Sequence, residues 1–277
     1  MIDVHDVTVE LPGARRPALD GVRFRLEAGE SAALLGANGS GKTTLARVLN
    51  GTQLPTRGRV LVHGHDTADP ESRFQVRRFV GLLFQDPDNQ FVTTTLEREI
   101  AFGLENLNVG VAELRSAVQS AVDEFDLHDQ RYASPHEMSG GEKARLALAC
   151  VWVMGSRAIV LDETESLLDR RGGETLLRKL DELPAETTVL RITTDVEVAA
   201  SCARVLLLHE GRLLADGPPD GVFAHLPAEV TRQVGVPLMW SVSQELVRMG
   251  RLRRPTVSLD AVLTSLGLPS VDPGGAA

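Results

Sequence analysis

The stretch Ser31-Ala32-Ala33-Leu34-Leu35-Gly36-Ala37-Asn38-Gly39-Ser40-Gly41-Lys42-Thr43-Thr44 governs every later reading of this sequence. Ser31 to Leu35 is a short apolar run ending at a glycine, the profile of a strand buried on both faces. Gly36 to Thr43 fits the pattern GxxxxGK[ST], and a helical stretch from Lys42 to Asn50 follows, stopped by Gly51. Glycines let consecutive backbone N–H groups turn toward one centre, and a helix N-terminus adds positive potential there. In that cradle Gly36, Asn38, Gly39, Ser40, Gly41 and Thr44 line the phosphates. Lys42 reaches the β- and γ-phosphates, and the Thr43 hydroxyl ligates Mg²⁺. The bland alternative is a glycine-rich turn with no ligand. Against it stands the rarity of the lysine: only three of the 29 basic residues are Lys (Lys42, Lys143 and Lys179).

Working outward, Ala158 to Leu161, Val189 to Thr193 and Val205 to His209 are further short apolar strands. Val111 to Phe125 and Ala144 to Met154 carry helical spacing. Strands alternating with helices predict an α/β fold with a mostly parallel core sheet. Ile2 to Glu10 alternates apolar and polar residues, which predicts an edge-type antiparallel strand, and Val22 to Leu26 repeats the pattern. The expected organisation is a nucleotide-binding domain over residues 1–224, with a helical subdomain at about 87–155. A helical extension over 225–270 and a disordered tail over 271–277 follow. Within the extension Leu238, Val242, Leu246 and Met249 form one helical stripe. Ser258 caps a last helix that Gly267 can end.

Composition sets the outer bounds. With 277 residues, 43% hydrophobic and 24% charged, the chain is an ordinary globular protein. A net charge of −9 argues against a phosphate-tracking nucleic-acid binder and against docking by a basic patch on an anionic membrane. Cys150 and Cys202 form no CxxC pair and read as inert thiols of a reducing compartment. The first ten residues lack a signal-peptide pattern. The longest apolar stretch, Leu146 to Met154, is about half of a membrane span. The expectation is a cytoplasmic protein that meets a membrane only through other proteins.

Two more segments carry chemistry. Ala158-Ile159-Val160-Leu161-Asp162-Glu163 is an apolar strand ending in two carboxylates. Asp162 suits a Mg²⁺ shell, and Glu163 is placed to take a proton from an attacking water. Met138-Ser139-Gly140-Gly141-Glu142-Lys143 opens the helix from Ala144. It reads either as an anion-binding helix start or as a plain N-cap by Ser139.

Together these segments resemble the ATP-binding subunits of ABC transporters, in the family's order over roughly residues 2 to 220. Gly36–Thr43 resembles the Walker A loop, Gln85 the Q-loop glutamine, Ser139-Gly140-Gly141-Glu142 the signature and Leu161-Asp162-Glu163 the end of Walker B. Ser166-Leu167-Leu168-Asp169 is similar to the D-loop. The resemblance implies a P-loop NTPase fold of ABC type and a head-to-tail dimer, homodimeric or with a paralogue, holding two ATPs between its subunits. Gln85 would join the Mg²⁺ and catalytic set, Asp169 would lie at the nucleotide, and the signature would act on ATP held by the partner. Phe84-Gln85-Asp86-Pro87-Asp88-Asn89-Gln90-Phe91 and Glu99-Ile100-Ala101-Phe102-Gly103-Leu104-Glu105-Asn106 look like the energy-coupling factor importers. Those ATPases energise uptake of vitamins, cobalt or nickel. That narrower resemblance implies a transmembrane coupling subunit, a substrate-capturing membrane subunit, and a location on the inner face of the cell membrane. It also implies a dimerising role for the extension.

The sequence departs from the family at four places. Thr194 stands where the switch histidine is expected, and Leu11 where an aromatic would stack on adenine. The signature ends in Glu142 rather than Gln, and Glu163 is followed by Thr164-Glu165-Ser166. The phosphate and metal machinery is whole, while adenine grip and γ-phosphate sensing are weakened. Two readings follow: a transport ATPase with slow turnover at its own Walker site, and a module in which ATP only dimerises the chain. A small-molecule kinase leaves Ser139 to Lys143 without a role.

Overall fold

The computed structural model describes residues 1–84, 90–168 and 170–269. Strands β1 (Ile2–Val9), β2 (Leu19–Leu26) and β3 (Ser31–Leu35) lead into helix α1 (Lys42–Leu49). Then come β4 (Arg57–Val62), β5 (His65–Asp66), α2 (Arg73–Phe79) and β6 (Val80–Leu83). Helices α3 (Leu96–Asn106), α4 (Val111–Glu124) and α5 (Gly140–Val153) form a helical layer before β7 (Ala158–Asp162). The chain continues through α6 (Arg170–Asp181), β8 (Thr188–Thr193), α7 (Val196–Ala200), β9 (Arg204–His209) and β10 (Arg212–Gly217). It finishes in α8 (Pro219–Ala224), α9 (Ala228–Val234), α10 (Leu238–Arg248) and α11 (Leu259–Ser265).

Two sheets form. One has the order β10-β9-β3-β8-β7-β6, parallel except for β10, which pairs antiparallel with β9 at the edge. The other is antiparallel, with the order β2-β1-β4-β5. This corrects the edge reading of β1. Its alternation reports one buried face, and Ile2, Val4, Val7 and Val9 are all buried. Both of its backbone edges are nevertheless paired, to β2 and to β4. Side-chain alternation shows which face is covered and is silent on which backbone edges find neighbours.

The parallel register brings the site together. Leu35 pairs with Thr193, Leu83 with Leu161 and Asp162 with Ile192, so these strands end along one carboxyl edge of the sheet. Ligands in open α/β sheets bind along that edge. Strand β3 is buried on both faces. Ala32 and Leu34 enter a core shared with α1 and the antiparallel sheet. Ala33 and Leu35 enter a core shared with Phe223 of α8, Val230 of α9 and Trp240 of α10. A further core lies between the parallel sheet and α3, α4, α5 and α6.

Helix α5 begins at Gly140, four residues before the expected apolar start, because the cap lies at Ser139 and the glycines are already helical. The Ser258 cap and the stop at Gly267 form as read: the Ser258 Oγ accepts from Ala261 N at 3.2 Å, and Gly267 has φ +71°. The α10 stripe faces outward. Leu238 is 69% exposed and Met249 66%, while Trp240 and Ser243 turn inward. Residues 270–277, which include the whole of the expected tail, lie outside the described residues. No helix among the described residues is long and apolar enough to cross a membrane.

Candidate functional site

The phosphate loop is built tightly onto its neighbours. Gly36 N donates to Thr193 O at 3.3 Å, and Gly211 N donates to Ser40 O at 2.9 Å. Gly41 has φ +108°, and a Cβ there would come within 2.4 Å of Ala18 O, so only glycine fits that turn. Gly39 has φ +77° and open space around it. Gly41 is also the N-cap of α1 and offers no side-chain cap, so the first amides of the helix stay available to an anion.

Lys42 is 4% exposed, and its Nζ donates to Gly36 O at 2.9 Å and Ala37 O at 3.1 Å. The same ammonium stands 3.1 Å from Oε1 of Glu163, so the loop lysine and the carboxylate after β7 meet. Asp162 is 1% exposed, and its Oδ1 is buried without a hydrogen-bond partner. Burial pushes its carboxyl up, opposed by the Thr43 hydroxyl that donates to it. A hard divalent cation suits a buried carboxylate beside a hydroxyl, since both supply oxygen ligands. Among the described residues no three His, Cys, Asp or Glu side chains converge on one point. A metal here would therefore draw most of its ligands from elsewhere, as Mg²⁺ does from phosphates and water.

Glu163 holds φ +54°, a left-handed conformation that costs a non-glycine residue free energy. Its backbone N donates to Ile192 O at 2.9 Å. Sequence reading missed the clamp beside it. Arg191 of β8 forks onto Glu165, Nε to Oε1 at 2.7 Å and Nη2 to Oε2 at 2.6 Å. The signal was visible: an arginine inside the otherwise uncharged strand Thr-Val-Leu-Arg-Ile-Thr, and a carboxylate at an atypical place after Glu163. Such bidentate pairs fix geometry as well as charge.

Thr194 follows β8 and is exposed, next to the Thr193 carbonyl that holds Gly36. Leu11 is 41% exposed. Five residues further on, Arg16 pairs with Glu210 and lines a cleft of about 400 Å³ with Ala37, Asn38, Gly39 and Ser40. A guanidinium that none of the sequence motifs includes thus lines the phosphate cradle. Gln85 and Asp169 lie outside the described residues.

Ser139 stands apart from this cluster, exposed at the start of α5. It forms a full capping box: Glu142 Oε2 accepts from Ser139 N and from Ser139 Oγ, both at 2.8 Å, and Glu142 N donates to Ser139 Oγ at 3.4 Å. Gln130 donates to the other Glu142 oxygen at 2.8 Å. The Ser139 backbone amide, then its hydroxyl, hold the Glu142 carboxyl below its ordinary range. Glu142 therefore spends its charge on its own helix start, while Gly140 is exposed in front of it. Burial pushes the Cys150 and Cys202 thiols up, the direction that makes them unreactive.

The chain is similar to known proteins. The family described as ABC transporter matches residues 19–166. The energy-coupling factor transporter ATP-binding protein EcfA1 of Bacillus subtilis is 39% identical over 253 residues, 90% of each chain. Among solved structures, cbiO1 of Clostridium perfringens, part of the transporter complex cbiONQ, superposes with a TM-score of 0.71 at 30% identity. That match covers 90% of this chain and 96% of the other. A bacterial ABC transporter cassette solved as a dimer gives a TM-score of 0.70 at 25% identity, over 80% of this chain and all of that one.

Proposed function

The chain belongs to the ABC transporter family, and from that premise we propose that it is the ATPase subunit of an energy-coupling factor importer. Its activity is that of a transport ATPase, and the proposed cargo is a vitamin or a transition-metal ion. The observation that carries the reading is the meeting of Lys42 with Glu163 at 3.1 Å, beside the buried Asp162. One edge of the sheet thus holds a phosphate-seeking cation, a metal-seeking carboxylate and a candidate base.

In this reading Gly36 to Thr44 enclose the triphosphate, with the α1 amides and Lys42 carrying its negative charge. The donor set fits Mg²⁺: Asp162 supplies an unpartnered buried oxygen, and Thr43 supplies a hydroxyl against the same carboxylate. Gln85 would complete that set. Bound there, Mg²⁺ would neutralise phosphate oxygens. Glu163 takes the proton of the attacking water. The Arg191–Glu165 fork and the Glu163 N–Ile192 O bond hold its loop in place. Ser139, Gly140, Gly141 and Glu142 would face the ATP held by a second ABC ATPase chain, and Asp169 would lie at the same junction. Exposure of Ser139 and Gly140 supports that assignment.

The proposed partners are that second chain, a transmembrane coupling subunit and a substrate-capturing membrane subunit, with the protein peripheral on the inner face of the membrane. The proposed division runs 1–224 and 225–270, the extension sharing a core with β3 and serving dimerisation. The outward stripe of Leu238, Val242 and Met249 supports that role. Phosphate release by the purified chain, alone and with its membrane complex, tests the reading. Lys42→Ala should abolish the signal, and equal release by that variant would overturn it.

A second reading, an ATP-gated dimerisation module with little turnover, is favoured by the exposed Thr194 and Leu11. Thr can donate one hydrogen bond but lacks an imidazole's reach and charge. Losing a transition-state donor costs about a hundredfold in rate, so Thr194→His should raise turnover by up to about that factor. Unchanged phosphate release in the variant would leave the slow-site account without support.

A further inference from the structure

The segment between α10 and α11 carries three arginines, Arg251, Arg253 and Arg254, that line one cavity of about 620 Å³. Several guanidiniums elsewhere are matched to carboxylates, among them Arg204 with Asp216 and Glu30, Arg212 with Asp20, and Arg131 with Glu97. Among the described residues none of the three cavity arginines has a carboxylate partner. Asp220 is the one acidic residue in the lining, and its Oδ1 already accepts from Val257 N at 2.7 Å. In a chain of net charge −9, three guanidiniums against one committed carboxylate form a local positive field.

The backbone that carries them is pinned at both ends. Arg251 N donates to Leu246 O at 2.8 Å, and Thr256 N donates to the fully buried Ser243 Oγ at 2.9 Å. A segment held this way loses little conformational freedom when a ligand arrives. The cavity volume is that of a small-molecule site, and planar guanidinium forks match phosphate oxygens two at a time.

We propose that this cavity of the C-terminal extension binds a small, soluble, phosphate-bearing anion, at a site separate from the phosphate loop. The probe is inorganic pyrophosphate without Mg²⁺, titrated calorimetrically at low salt into the full chain carrying Lys42→Ala. That background silences the phosphate loop, so the outcome is independent of the proposed ATPase function. One equivalent should bind, weaken as salt rises, and weaken about tenfold or more in the added variant Arg251→Gln/Arg254→Gln, whose thermal melt should be unchanged. Absence of binding, or binding indifferent to those arginines, overturns the proposal. Arginine-dependent sedimentation with phosphatidylglycerol vesicles in place of pyrophosphate binding would overturn it in favour of a membrane surface. Tighter binding of a hexaglutamate peptide than of pyrophosphate would overturn it in favour of an acidic protein segment.

Discussion

The phosphate loop and the start of α5 are both glycine-rich helix entrances, and they solve the problem of unsatisfied amides in opposite ways. At α1 the cap is Gly41, with no side chain to answer the first N–H groups, and the nearby charges Lys42, Asp162 and Glu163 are packed into the protein. At α5 the Ser139–Glu142 box answers the backbone internally, and the residues stand at the surface. One entrance leaves its first amides uncapped and depends on nonlocal partners. The other is a self-sufficient, exposed projection. The difference teaches that similar sequence texture, glycine and serine before a helix, can leave the first amides open or close them, depending on whether the chain supplies its own cap.

Substitutions should separate the two entrances in both size and kind of effect. Glu163→Gln should lower phosphate release about a thousandfold at this chain's own site while nucleotide still binds, since it removes the proposed base and keeps the shape. Retained turnover would move the base elsewhere. Arg191→Met leaves Glu165 largely enclosed without its fork and should cost about 2 kcal/mol in denaturant unfolding. A smaller loss would mean that the fork tunes geometry more than stability.

At the exposed entrance the effects should be smaller and of another kind. Ser139→Ala should cost about 1 kcal/mol through the lost cap. In a mixed dimer it should depress turnover at the partner's site, read by combining it with Glu163→Gln in one chain and pairing that chain with a wild-type partner. Glu142→Gln keeps a capping side chain and removes only the charge, so about 0.5 kcal/mol is expected near neutral pH. The folded-state carboxyl lies below its ordinary value of 4.5, so its contribution is present above that pH and lost as pH falls through the folded value. Urea unfolding of wild type and variant should therefore converge in acid.

What could be read from sequence followed the range of the interactions involved. Gly36 to Thr43 and Asp162-Glu163 were legible because each motif is local, and the parallel register then carried them to one edge. Strand β1 was misplaced because its second neighbour, β4, lies some fifty residues away and leaves no trace in β1's own alternation. The α10 stripe was found with its direction unknown: periodicity marks a face, and burial of Trp240 and Ser243 decided that the other face turns inward. Arg191 and Glu165 join across 26 positions, so each read alone as an oddity.

Strand β3 has its two sides committed to different cores, and the side bearing Ala33 and Leu35 is roofed by Phe223, Val230 and Trp240. A protein shortened to end at Ala224 would lose Val230 and Trp240 and leave that strand partly uncovered, directly upstream of Gly36. The final helices are therefore no detachable module. Chimeras that graft this catalytic half onto a relative's C-terminus should be joined beyond Trp240, and limited digestion ahead of it should unfold what remains.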